Sequence, residues 1–126
     1  MIVKSVLVLT SLMATCTGPT TLTEQRCPSV EVLLHLHNPG WDVDRMSRIA
    51  WRESRCTAAI RSTTSDTGLL QINDINHDYL EGALGEPVDS STLMDPIQNV
   101  RAAAALFTYW ERVNGNGYQP WKATDN

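Results

Sequence analysis

Basic charge, cysteine and long apolar runs are all scarce in this sequence. The 126 residues carry ten Lys and Arg against fourteen Asp and Glu, a net charge of −4. A nucleic-acid binder presents a basic face, and so acidic a chain is a poor candidate for that role. The apolar run Val6 to Ala14 is too short to span a bilayer comfortably. Cysteine occurs three times, at Cys16, Cys27 and Cys56, without partners at metal-ligand spacing. His35 and His37 alternate in a helical stretch and so point apart. No metal site follows, and no organic cofactor is indicated. Repeats, low-complexity tracts and dividing linkers are also missing, which leaves one small domain.

The start of the chain does have the layout of a secretory signal peptide. Lys4 supplies the charge, Val6 to Ala14 the apolar core, and Thr15 to Thr23 the small and polar residues. Residues 1–20 are read as that signal and 21–126 as the domain. Cleavage after Cys16 uses Ala14 and Cys16 as small residues; alternatively Met13-Ala14-Thr15-Cys16 is a poor lipoprotein box that lipidates Cys16. Plain secretion, or a place in the periplasm or cell envelope, is the preferred expectation. The mature chain, expected to be a monomer without a membrane span, carries a net charge of about −5 once Lys4 is gone. In an oxidising compartment Cys27 and Cys56 are a natural pair, two free thiols being the other reading. In the chain-entropy account, closing such a loop is worth about 3–4 kcal/mol, a large share for so small a core.

The stretch Val43 to Arg55 organises the rest. With Val43 at zero on a helical wheel, Met46, Ile49 and Ala50 fall at about 300°, 240° and 340°. Arg45, Arg48 and Arg52 gather opposite. Glu53 lands at about 280°, inside the apolar sector. A carboxyl group facing a core either finds a partner or has its pKa raised by desolvation. The second state suits a general acid, which must hold its proton at working pH. Escape to solvent in the last turn is the alternative.

Around this stretch, Val30, Leu33, Leu34 and His37 predict a first helix, stopped by Asn38-Pro39-Gly40. Trp41 is expected against the entry of the second helix, with Asp42 or Asp44 at its N-terminus. Thr57 to Thr67 reads as a polar loop with a short hairpin. Gly68-Leu69-Leu70-Gln71-Ile72-Asn73 turns abruptly apolar, with Gln71 needing a partner if buried. A short helix capped by Asp74 and a loop from Glu81 to Ser91 follow. Asp95-Pro96, with Gln98 three residues after the cap, starts a helix to about Val113. Its inner side is read as Ile97, Val100, Ala104 and Phe107, and Asn114-Gly115 ends it.

These segments together carry a resemblance. Trp51-Arg52-Glu53-Ser54, then Gly68 to Asn73, then Asp95-Pro96 with Asn99-Val100, then Tyr118-Gln119-Pro120-Trp121 resembles the soluble lytic transglycosylase and goose-type lysozyme group, over about residues 41 to 123. The resemblance implies a mainly α, single-domain lysozyme-like fold with a substrate cleft and a short β-hairpin. It implies peptidoglycan glycan strands as the partner. Glu53 matches the catalytic glutamate and Ser54 the supporting serine after it. Gly68, Leu69, Leu70, Gln71 and Asn73 belong to the segment lining the cleft, with Gln71 a sugar contact or a structural amide. Asn99 matches an asparagine that is structural or ligand-binding. Tyr118 and Trp121 match the aromatic end, where core packing is favoured over a sugar platform. The chain departs from the group at Leu106, where many members have a tyrosine; Tyr109 comes almost a turn later. Asp66, thirteen residues after Glu53, stands where goose-type lysozymes have an auxiliary aspartate, or braces its loop, the reading slightly preferred.

The implied reaction is cleavage of the β-1,4 bond between N-acetylmuramic acid and N-acetylglucosamine. One acid suffices if the substrate's 2-acetamido group assists. Hydrolysis and anhydro-forming cleavage stay open. So do two other classes: a secreted helical domain that binds glycan or a wall protein without cutting, and a disulfide-stapled structural component of an envelope or virion.

Overall fold

The computed structural model of the chain describes residues 25–125. The expected signal segment and Cys16 lie outside them. The described residues contain four α-helices and one two-stranded antiparallel sheet, the mainly helical fold expected from the sequence. None of these helices is long and apolar enough to cross a membrane.

Helix α1, Pro28–Leu36, starts on proline and buries Val30 and Leu34, one turn apart. Asn38 closes the turn behind it: Oδ1 accepts from the Gly40 amide at 2.7 Å, and Nδ2 donates to the Trp41 carbonyl at 3.1 Å. The Trp41 indole then donates to the Leu34 carbonyl at 3.0 Å, and its ring meets Phe107 edge-on at 5.7 Å. Helix α2, Val43–Ser54, is capped by Asp42, whose carboxylate accepts from the Arg45 amide at 2.8 Å. Asp44, the other candidate, pairs with Arg26.

Helix α2 buries Met46, Ser47, Ile49, Ala50 and Ser54. Burial of Met46 and Ile49 stabilises the fold by about 1.5–3 kcal/mol each. Ser47 sits where the wheel leaves a gap between apolar residues. Its hydroxyl accepts from the Cys27 amide and donates to Glu31 Oε2, both at 2.7 Å, fastening α1 to α2. Arg55 and Cys56 both take positive φ, turning the chain back, and Cys56 forms the disulfide with Cys27.

Several boundaries differ from the sequence reading. The hairpin pairs β1, Asp66–Thr67, with β2, Ile72–Asn73, so it lies later than expected and Gly68 to Gln71 is its turn. Gly68 and Gln71 make that turn with φ of 83° and 47°. The cap of the following 3-10 turn, Asp74–Asn76, is Asn73, not Asp74: Asn73 Oδ1 accepts from the Ile75 amide at 3.0 Å. Asp74 is engaged instead by Arg61. Helix α3, His77–Leu84, runs four residues into the expected loop and ends on Gly85 in the left-handed conformation.

Helix α4, Pro96–Asn114, starts on the Asp95 cap and ends on Gly115 as expected. Gln98 does not close back on the cap; its side chain accepts from Arg101 at 3.0 Å. The buried face is Asn99, Val100, Ala102, Ala103, Leu106 and Phe107. Ile97 is 46% exposed, because it lies about 60° beyond Val100 on the wheel, outside the sector those residues define. A final 3-10 turn, Gln119–Trp121, returns the chain to α2 and buries Trp121 in the same core as Met46, Leu70 and Val100.

Candidate active site

The acid at the end of α2 is half-buried. Its helix carries it on the apolar sector, but in the last turn, where the core thins. Burial raises the Glu53 pKa above the ordinary carboxyl value; a hydrogen bond from Thr124 opposes that, and the charge of Asp66 adds to it. The Thr124 hydroxyl donates to Glu53 Oε1 at 2.8 Å. Thr124 belongs to a strap after Trp121. Its carbonyl accepts from Arg52 at 3.0 Å, and the next residue, Asp125, is chelated by the Arg45 guanidinium.

Asp66, whose charge reaches this acid, lines a hollow of about 230 Å³. The hairpin gives it Asp66, Gln71, Ile72 and Asn73; α4 gives Leu106 and Trp110; the last turn gives Gln119, Pro120 and Trp121. Its floor is held from behind by Asn99, which is fully buried. Asn99 Oδ1 accepts from the Leu70 amide at 2.9 Å, while Nδ2 donates to the carbonyls of Thr67 and Leu93 at 2.9 and 2.8 Å. Gly68 lies so close to this amide that a Cβ there would stand 2.1 Å from Asn99 Nδ2 and 2.4 Å from the Leu93 oxygen. The Trp121 indole adds a bond to the Leu70 carbonyl at 2.8 Å. The turn that carries Gln71 is thus fixed by two side chains from distant parts of the chain.

Among the residues expected at the site, Asp66, Gln71, Asn73 and Trp121 share this hollow; Glu53 is not in its lining and is linked to it through the charge of Asp66. Asp66 is gripped on both oxygens, by Ser62 and Thr64 hydroxyls on Oδ2 and by Asn73 Nδ2 on Oδ1 at 2.9 Å. Gln71 turns its amide nitrogen back to the Gly68 carbonyl at 3.0 Å. Leu69 and Leu70 are core residues beneath, 2% and 0% exposed. Ser54 is buried, its hydroxyl bonded to the Ala50 carbonyl one turn back at 3.0 Å. Tyr118 stands at the other end of α2, about 16 Å from Glu53 along the helix. Its hydroxyl accepts from the Asp42 amide, and the Arg45 guanidinium lies 3.5 Å over its ring.

Three contributors escaped sequence reasoning. Trp110 walls both the hollow and an adjoining one of about 190 Å³ that also holds Asn76, Tyr79 and Tyr109. A signal for it existed, since Asn99, Ala103, Leu106 and Trp110 follow one helical stripe. Asn76 lines both hollows as well. Thr124 had no local signal; only the strap's path brings it to Glu53. Leu106 walls both hollows, and Tyr109 opens into the adjoining one.

Two roomier hollows carry no available acid. One of about 380 Å³ between α3 and α4, including His37, Tyr79 and Arg101, has no carboxylate in its lining. In another, of about 390 Å³, Asp95 caps α4 and Glu86 pairs with Arg101. Among the described residues, no group of three or more His, Cys, Asp or Glu is placed to hold a metal ion.

Compared with known proteins, residues 37–123 match the family model described as the transglycosylase SLT domain. No curated protein and no solved structure matches the chain.

Proposed function

Because the chain belongs to the transglycosylase SLT domain family, whose members act on peptidoglycan, we propose that Glu53 is its general acid for cutting the glycan strand. The substrate bond is the β-1,4 link from N-acetylmuramic acid to N-acetylglucosamine. Glu53 protonates the linking oxygen as the C1–O bond breaks and its electron pair passes to that oxygen. The acetamido oxygen of the muramic residue closes on C1 and carries the charge of the oxocarbenium-like state, so no second carboxylate is required. Glu53, now ionised, then takes a proton from water or from the muramic 6-hydroxyl as that oxygen attacks C1.

The observation that carries this reading is a half-buried carboxyl group, hydrogen-bonded by Thr124, held above its ordinary pKa by burial and by the charge of Asp66, which lines the hollow. Desolvation keeps such a group protonated at a pH where a surface glutamate has ionised. Asp66 acts through its charge and as a brace for the hairpin; both its oxygens already accept hydrogen bonds. Gln71, Asn73 and Trp110 offer the sugar polar and aromatic contacts, while Gly68, Asn99 and Trp121 hold the wall in place. The chain works outside the cytoplasm in this reading, where the Cys27–Cys56 bridge persists.

Release of soluble fragments from purified sacculi tests the proposal. Wild type is expected to release them and Glu53→Gln, which keeps the shape but not the transferable proton, to release none. Equal release by both would overturn it, and binding without release by wild type would make the domain a glycan-binding module. Mass spectrometry of the products separates the two outcomes for the acetamido intermediate: anhydro-muramic ends for attack by the 6-hydroxyl, reducing ends for attack by water.

A further inference from the structure

The strap from Trp121 to Asp125 is tied to three positions of α2. Asp125 is chelated by Arg45, the Thr124 carbonyl takes the Arg52 guanidinium, and the Thr124 hydroxyl reaches Glu53. The hydroxyl has a second acceptor nearby, the Trp121 carbonyl, but at 3.3 Å it is the longer contact, and Glu53 at 2.8 Å is the better-placed acceptor for the single proton. Among the described residues Oε1 of Glu53 has this one hydrogen-bond partner and Oε2 has none.

We propose that Thr124 is a positioning residue for the acid: by donating to Oε1 it leaves Oε2 as the oxygen that carries the proton and hands it to the linking oxygen of the glycan. This rests on the reading of Glu53 as the acid. A carboxyl group has two oxygens and one transferable proton, and a donor fixed on one oxygen makes that oxygen the carbonyl partner. As the proton leaves Oε2, negative charge spreads over both oxygens and the bond from Thr124 becomes charge-assisted, hence stronger. The interaction therefore favours the transition state over the resting acid, the condition for raising turnover.

The charge set against Glu53 is that of Asp66 from the hairpin; Arg45 and Arg52 of its own helix are engaged with Asp125 and the Thr124 carbonyl of the strap. The side chains that α4 and the last turn give to the hollow, Leu106, Trp110, Gln119, Pro120 and Trp121, do not titrate. A change in the Glu53 titration on altering Thr124 alone thus reports on the hydroxyl.

The test compares Thr124→Val, Thr124→Ser and Asp125→Ala in the full chain, with Glu53→Gln as control. Fragment release is followed as a function of pH, alongside direct titration of the Glu53 carboxyl by carbon NMR. Val keeps the shape and removes the donor. The expected result is kcat lowered about tenfold at unchanged KM, with the alkaline limb and the Glu53 titration both moved up by about one pH unit. Ser restores both. Asp125→Ala releases the strap, admits water to Glu53 and moves the titration down. The direction separates the roles: a strap that merely covers Glu53 keeps its cover in Thr124→Val and leaves the titration in place, whereas a downward shift would mean that the substitution had opened the strap; either result overturns the proposal. So does a Val variant with the wild-type rate and titration, or a Ser variant that behaves like Val. An active Glu53→Gln overturns the acid reading itself, and this proposal with it; an inactive Glu53→Gln beside an unaltered Thr124→Val removes only the role of Thr124.

Discussion

The indole nitrogen of Trp121 donates to the carbonyl of Leu70 at 2.8 Å, across 51 residues of sequence. That bond joins the end of the domain to the turn beside the acid, and both partners are buried. Replacing Trp121 with Phe keeps most of the apolar contact and leaves the Leu70 oxygen without its donor. The expected loss is about 1–3 kcal/mol of stability, read as a lower midpoint in urea at unchanged slope.

Gly68→Ala is expected to cost more. The added methyl would meet the Asn99 amide and the Leu93 oxygen at a φ of 83°, where side chains are strained in any case. Left-handed backbone and overpacking together predict about 2–5 kcal/mol. Because Asn99 must move, the Gln71 turn moves with it, and glycan cleavage should fall below what the residual folded fraction explains. Denaturant melts and activity per folded molecule check this.

Glu53 makes stability depend on pH in an unusual direction for a carboxylate. Its folded pKa is raised, chiefly by desolvation, so the native state binds the proton more tightly than the unfolded chain. The associated stability is fully present below the unfolded value of about 4.3 and is lost as pH rises through the folded one. Glu53→Gln, which has no charge to bury, is therefore expected to melt above wild type at about pH 8 and to lose that advantage by about pH 4. Thermal melts over this range would refute the desolvated-acid picture if the advantage grew on acidification.

Trp110→Ala probes the wall of the hollow. The residue is only half-buried, so the fold should tolerate truncation. Loss of its face is expected to weaken binding of soluble glycan strands about tenfold, the scale of one aromatic contact, with the pH profile unchanged. Calorimetry on the inactive Glu53→Gln background isolates this binding effect; unaltered affinity would take Trp110 out of the site.

The disulfide offers a check on the packing of α1 against α2. Replacing Cys27 and Cys56 together with Ser should cost about 3–4 kcal/mol in the chain-entropy account. The Ser47 bonds to the Cys27 amide and to Glu31 remain available to hold the helices together. The double variant is expected to fold with a midpoint many degrees lower, measured by thermal melt, and not to lose the fold altogether.

Much of this was legible along the chain because local chemistry writes it there. The Asp95-Pro96 start and Gly115 stop of α4 are stated by the orphan amides and carbonyls of any helix. The Glu53 position follows from the 3.6-residue period of α2, and the Cys27–Cys56 pairing from there being two cysteines in the expected domain. Boundaries set by competition were less readable. Asn73 capped the turn in place of Asp74 because Arg61 claims Asp74. Ile97 faced outward because the Asn99–Val100 stripe, anchored by a buried amide, fixed the rotation of the helix.

What the sequence determined by itself was periodicity, capping and the conformational freedom of Gly68: each depends on residues within a few positions of one another. Only the tertiary structure decided that Asn99 would lie beneath the Gly68–Gln71 turn, that Trp110 would wall a hollow, and that Thr124 would reach an acid 71 residues away. Those placements depend on how four helices and a strap fill one core, and packing of that kind leaves no local pattern from which a partner could be read.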